Sequence, residues 1–159
     1  MLSFFARSAI VIEPLSCDFS DACSSIHHDC FAHPWSSHDL EAMIASSAFV
    51  ADGAIDASSR KLHGFILTRC VRDEAEVMTV AVLSSSRRKG IAGLLLRQHL
   101  DRLRGFSIVK LFLEVAEDNH PARILYSKFG FKLVGARNGY YRDVDGTQSN
   151  ALVLAKELI

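Results

Sequence analysis

The chain has 159 residues, 49% of them apolar and ten of them Phe, which is enough for one globular domain with a core of its own. Its 18 Lys and Arg balance 18 Asp and Glu, which argues against the broad basic face of a nucleic-acid or anionic-membrane binder. No apolar run approaches membrane-spanning length, Arg7 interrupts the apolar patch at Met1 to Ile12 that a signal peptide would need, and four cysteines without CxxC or zinc spacing read as reduced thiols of a cytoplasmic protein.

Ala9 to Ile12 reads as a first strand, ended by Glu13-Pro14. Asp18 is placed to cap a helix carrying Phe19, Ala22, Cys23 and Ile26, and Ser36 or Ser37 to cap a second with Leu40, Met43 and Ile44. Between them, His33-Pro34-Trp35 makes a rigid turn around the only tryptophan, either a plug at the core edge or a substrate-facing ring. Cys30 with His27, His28 and His33 lacks ligand spacing, so no metal is expected. Ala48 to Asp52 reads as a short strand and Gly53 to Arg60 as a polar turn. Leu62 to Val71 and Glu76 to Val82 then form a hairpin around Arg72-Asp73-Glu74.

A helix follows from Gly90, with Ala92, Leu95, Leu96, Leu100 and Leu103 as its apolar stripe and Gly105 as the glycine just past its end. Val109 to Val115 is a further strand, Pro121 to Phe129 a short helix closed by Gly130, and Lys132 to Tyr141 and Ala151 to Leu158 two last strands around the turn Asp143-Val144-Asp145-Gly146. No linker or repeat divides the chain. Residues 1–159 read as a single α/β domain with a mixed, mostly antiparallel sheet of about six to seven strands flanked by helices.

Chemistry concentrates where the strand ending at Val82 runs into Arg87-Arg88-Lys89-Gly90-Ile91-Ala92-Gly93. A basic, glycine-bearing turn at a helix N-terminus offers bare N–H groups and cations to one anion. Gly90 and the small Ala92 let the backbone approach it closely. Neither GxGxxG nor GxxxxGK[ST] is present, so the standard nucleotide loops are ruled out.

Arg87-x-x-Gly90-x-Ala92, followed by Leu113-Glu114-Val115-Ala116-Glu117-Asp118-Asn119 and by Leu125-Tyr126-Ser127-Lys128-Phe129-Gly130-Phe131, resembles the GNAT superfamily of N-acetyltransferases. With Tyr140-Tyr141, Asp145-Gly146 and His33-Pro34-Trp35-Ser36, it resembles the RimI-like branch, the N-terminal acetyltransferases of ribosomal proteins. The resemblance implies acetyl-CoA as donor substrate, a sheet splayed at the cofactor site, and direct transfer to the N-terminal α-amine of a protein. Arg87, Arg88, Lys89, Gly90, Ile91, Ala92, Gly93, Asn119 and Tyr126 would hold the donor, with the backbone of Ala81 and Val82 polarising the thioester. It further implies Glu114 as general base and Tyr126 as the acid for the departing thiolate, with Trp35, Tyr140 and Tyr141 lining the acceptor groove. No nucleic-acid or membrane partner is expected, and the chain would be a monomer or weak dimer.

The residues also carry plainer readings. Val109, Leu111, Leu113 and Val115 alternate onto one strand face and leave Glu114 on the other, as a base or as a salt-bridge partner at a sheet edge. Tyr126 shares a helix face with Ala122 and Phe129, which fits a core aromatic equally well. Asn119 can cap its helix and still touch a cofactor. Adjacent Tyr140 and Tyr141 must face opposite sides of their strand. Asn150 stands where the branch would have an acidic residue. A small-molecule amine or a lysine as acceptor, and a CoA-binding module without turnover, are the alternatives.

Overall fold

The computed structural model describes residues 9–142 and 145–159, except for the side chains of 141 and 142. β-Branched and aromatic runs form the strands β1 (Ile10–Pro14), β2 (Phe49–Asp56), β3 (Leu62–Val71), β4 (Glu74–Val82), β5 (Lys110–Ala116), β6 (Lys132–Arg142) and β7 (Gln148–Glu157). They make one seven-stranded sheet in the order β1-β2-β3-β4-β5-β7-β6. Every neighbouring pair is antiparallel except β4 and β5. Four helices, α1 (Ser20–Cys30), α2 (Ser37–Ala45), α3 (Ile91–Gly105) and α4 (His120–Lys128), cover the sheet.

Two cores result, one on each side. On one face α3 buries Ile91, Leu95, Leu96, Leu100 and Leu103, a helical stripe, against Ile66, Val77, Leu111 and Leu113. Each such side chain contributes about 1.5–3 kcal/mol over leaving it in water. On the other face α1 and α2 place Cys23, Ile26 and Leu40 against Ile55, Phe65 and Leu67. A polar network lies beneath α3. His99 Nδ1 donates to Asp52 Oδ2 at 2.6 Å, Thr68 Oγ1 lies 2.7 Å from His99 Nε2, and Arg102 caps the other Asp52 oxygen.

The site is made by a failure of pairing. Thr68 pairs with Val77 and Leu67 with Thr79, so Met78 is an extra residue that bulges out of β4. A bulge bends its strand, and the parallel ladder with β5 ends there, covering only Glu74–Val77 against Lys110–Leu113. Beyond it, Met78–Val82 and Glu114–Ala116 diverge, which opens the expected splay.

Several sequence expectations change: β1 runs through Glu13 to Pro14, and β7 starts at Gln148, three residues early. Gly53 does not end a strand: β2 runs through it to Asp56, because a Cβ there would lie 2.5 Å from Leu15 Cδ2, so the glycine lets the strand pass under Leu15. The turn is confined to residues 57–60, where Asp56 Oδ1 accepts the N–H groups of Ser58 and Ser59. Those bonds hold the Asp56 carboxyl down at about 2. Asp18 does not cap α1 but lies in a 3-10 turn, Cys17–Phe19, and Ser20 Oγ bonds the Cys17 carbonyl. β4 starts at Glu74, two residues early, so Arg72 and Asp73 alone make the turn, with Arg72 at φ 59°. Gly105 is the last residue of α3; the left-handed residue is Ser107 at φ 61°. Of the expected turn at 143–146, Asp143 and Val144 lie outside the described residues, as do the first eight residues.

Candidate active site

The strand-to-helix loop leaves a set of backbone N–H groups open at the start of α3. After Val82 the chain makes a 3-10 turn, Ser84–Ser86, passes Arg88 at φ 62° and reaches Gly90 at φ 75°, the N-cap of α3. Gly90 suits this left-handed position, and no side chain caps the helix, so the first N–H groups of α3, from Ile91 to Gly93, keep no intrahelical acceptor. Ile91 sends its side chain into the core and leaves only its backbone to a ligand. Arg88 and Lys89 are exposed and form no ion pair among the described residues.

Arg87, also exposed, is tied to the loop and to α1. Its guanidinium folds back, donating to the Val82 carbonyl and to Cys30 Sγ, both at 3.3 Å. The loop is also pinned from beneath. Asp29 Oδ2 accepts the Ser84 N–H at 2.9 Å, a bond that holds this carboxyl below its usual range, and the buried Ser86 hydroxyl lies 2.7 Å from His63 Nδ1. Cys30 Sγ donates to the Val82 carbonyl and His27 Nδ1 accepts the Trp35 N–H.

The backbone of β4 decides which amides face the splay. Leu83 N–H donates to His63 O, and His63 stands opposite Leu83 when the register of Gly64 with Val82 is extended by one. Hydrogen-bonded and non-hydrogen-bonded pairs alternate in an antiparallel ladder, so Ala81 spends its N–H on Phe65 while Val82 and Val80 turn theirs away from β3. Ala81, expected as a donor to the thioester carbonyl, therefore has its N–H engaged within the sheet, whereas the N–H groups of Val82 and Val80 face the opening. Thr79 Oγ1 is buried with no hydrogen-bond partner among the described residues, and pairing with Leu67 places Thr79 on the face of β4 that α1 and α2 cover.

Across the splay stands Glu114. The alternation along β5 is as expected, Leu111, Leu113 and Val115 buried and Glu114 on the opposite face. With Arg69, Glu76, Phe112 and Val153 it lines a cavity of about 290 Å³. Its side chain is 19% exposed, and Arg137 Nη1 donates to its Oε1 at 2.8 Å. The Arg137 guanidinium in turn stacks on Tyr140, 4.7 Å from the ring centre, which brings Tyr140 to the Glu114 neighbourhood. The Tyr141 side chain lies outside the described residues.

Tyr126 is buried on α4 against Phe131, their ring centres 5.7 Å apart. Burial penalises the phenolate and pushes the hydroxyl up to about 12, so Tyr126 keeps its proton as an acid would. Asn119 caps α4 through Oδ1, accepting the Ala122 N–H at 3.3 Å, and its amide N–H groups form no hydrogen bond among the described residues. Trp35 is half-buried, stacked on His27 at 4.6 Å, so the structure supports its core-edge role. Sequence reasoning missed Arg137 and the loop anchors Asp29 and Cys30. Their contacts span 23 to 57 positions, and nothing local marks them.

Asn150 has a clear structural use. Its Oδ1 accepts the N–H of Gly139, its Nδ2 donates to Glu117 Oε2, and its carbonyl accepts the Glu117 N–H. An ionised carboxylate could not donate to Glu117, so the amide ties the β6–β7 hairpin to the residue that follows β5.

Comparison with known proteins agrees with this fold. The chain is 36% identical over 97 residues to the ribosomal protein bS18-alanine N-acetyltransferase of Haemophilus influenzae, covering 61% of this chain and 66% of that relative, just under two thirds of its length. The crystal structure of the ribosomal-protein-S18-alanine N-acetyltransferase from Escherichia coli superposes with a TM-score of 0.86 at 27% identity, covering 94% of each chain. Arabidopsis thaliana NAA60 in complex with acetyl-CoA shares the fold, with a TM-score of 0.82 at 20% identity over 94% of this chain and 98% of that one. The sequence profile of the acetyltransferase (GNAT) family matches residues 20–131, most of the sheet and all four helices, and the chain belongs to that family.

Proposed function

We propose that this protein transfers an acetyl group from acetyl-CoA directly to the α-amine of a protein N-terminus, with a ribosomal protein of the bS18 kind as the first acceptor to test. The observation that carries the reading is the splay between β4 and β5, with outward-facing amides on one lip, Glu114 on the other and the open α3 N-terminus beyond. The N-terminal amides of α3, with Arg88 and Lys89, would hold the donor's pyrophosphate. Arg87 would join them through the N–H groups that it does not spend on Cys30 and Val82.

The acceptor nitrogen attacks the thioester carbonyl while Glu114 takes a proton from it, and the developing oxyanion is received by the Val82 N–H. The C–S bond then breaks, and Tyr126 donates its proton to the departing thiolate. No side-chain nucleophile is needed. A free α-amine has a pKa of about 7.7–8.0 against about 10.4 for lysine, so the lysine is harder to deprotonate at neutral pH by about 3.5 kcal/mol. That difference favours an α-amine. A cytosolic setting fits the four free cysteines.

Incubation of the enzyme with acetyl-CoA and recombinant bS18, or peptides with its first residues, is read by intact mass with site localisation. One acetyl group on the N-terminal amine is expected. Acetylation of lysines or free amines alone would refute the proposal.

A further inference from the structure

Arg137 has more hydrogen-bonding capacity than the fold uses. One nitrogen donates to Glu114, and no other hydrogen bond or ion pair of the guanidinium is formed among the described residues. A guanidinium carries five N–H donors in a rigid planar fork. Here the plane is set by two restraints, the ion pair to Glu114 and the Tyr140 ring. The ring is itself held by the hairpin: pairing with β7 shifts register between Arg137 and Tyr141, and Gly139, at φ 64°, gives its N–H to Asn150. With its side chain 54% exposed, Arg137 presents the remaining donors beside the carboxylate at the cavity rim.

A carboxylate and a cationic fork side by side match one chemical group well, an amine whose neighbouring carbon carries a carbonyl. We propose that Arg137 reads the carbonyl next to the acceptor amine, and so makes this site select α-aminoacyl groups over lysine side chains. The nitrogen of an N-terminal residue reaches Glu114 while its own carbonyl oxygen accepts from the unused Arg137 N–H groups. A lysine ε-amine stands four methylenes from its backbone and leaves the fork unanswered. The inference rests on the acetyl-transfer reading above and adds to it a specificity-determining residue.

The test uses a short peptide with a free N-terminus and the same peptide with its first carbonyl reduced to a methylene. Each is assayed by turnover and as a competitive inhibitor, so that an unreactive analogue is still read. The wild-type enzyme should prefer the carbonyl-bearing peptide by about ten- to a hundredfold, the range of one charge-assisted hydrogen bond. In Arg137→Ala that preference should fall about tenfold or more below the wild type's, toward the residual left by the more basic amine of the reduced peptide, while acetyl-CoA affinity holds and the melting temperature moves by no more than about 4 °C. A preference in Arg137→Ala as large as the wild type's, or none in the wild type, overturns the proposal. A wild-type enzyme that acetylates no N-terminus brings down the acetyl-transfer reading itself, and this one with it.

Discussion

Glu114→Gln keeps the shape of the side chain and removes one charge and one basic site. The structure limits what else changes. Among the described residues Glu114 pairs with Arg137, more than half exposed, and such a pair contributes about 0–1 kcal/mol. For a domain of this size the melting temperature should therefore move by no more than about 4 °C. The proposed donor site at the α3 N-terminus follows β4, on the other side of the splay, so acetyl-CoA affinity should hold. Rate should not: losing a positioned base costs about 10²–10⁴-fold. The variant can use only acceptor molecules that are already neutral. At about pH 7 roughly 9–17% of an α-amine with pKa about 7.7–8.0 is in that form. Its kcat/KM should accordingly climb about six- to tenfold between about pH 7 and 9. Steady-state release of free CoA thiol across that range, with calorimetric titration of acetyl-CoA, measures both quantities. A variant within about twofold of the wild type at neutral pH would show that Glu114 is not the base.

Three further outcomes follow from the geometry. Gly90→Val meets no steric obstacle, since nothing lies within 4 Å of its Cβ, but φ of 75° should cost about 1–2 kcal/mol and weaken acetyl-CoA, by melting and titration. Asp52→Ala leaves His99 and Arg102 without their shared carboxylate beneath α3, which should cost about 3–5 kcal/mol and lower the melting temperature by about 6–20 °C. His27, stacked between Phe31 and Trp35, is held down to about 4 by burial. Its folded-state value is depressed, so its contribution to stability is complete above about pH 6.5 and is lost as pH falls toward 4. His27→Phe should flatten that part of the acid-unfolding curve, measured as urea midpoints across the window.

The periodicities alone carried most of the fold. Strand and helix runs, the Ser36 cap, the Gly130 stop and the alternation that singles out Glu114 are local patterns, set by which side chains must face away from water. The proposed anion cradle was legible for the same reason: Gly90 before an uncapped helix is a local statement about backbone conformation. Its cations were less so, because the contact of Arg87 with Cys30 closes over 57 positions. Gly53 misled because the need for a small residue came from Leu15 packing across it, which no local pattern records.

Position along the third dimension decided the chemistry. The residue types Glu114, Tyr126 and Gly90 stand in the sequence, but the bulge at Met78 that ends the β4–β5 ladder appears only when strands pair. That pairing turns the amides of Val82 and Val80, in place of Ala81, toward the opening. The β6–β7 hairpin likewise brings Arg137 to Glu114 only because β7 lies between β5 and β6 in the sheet. Sequence by itself determined which groups are available and which face of their element they occupy. Tertiary structure alone decided which of them meet, since hydrogen-bond register and sheet order are properties of pairs of strands.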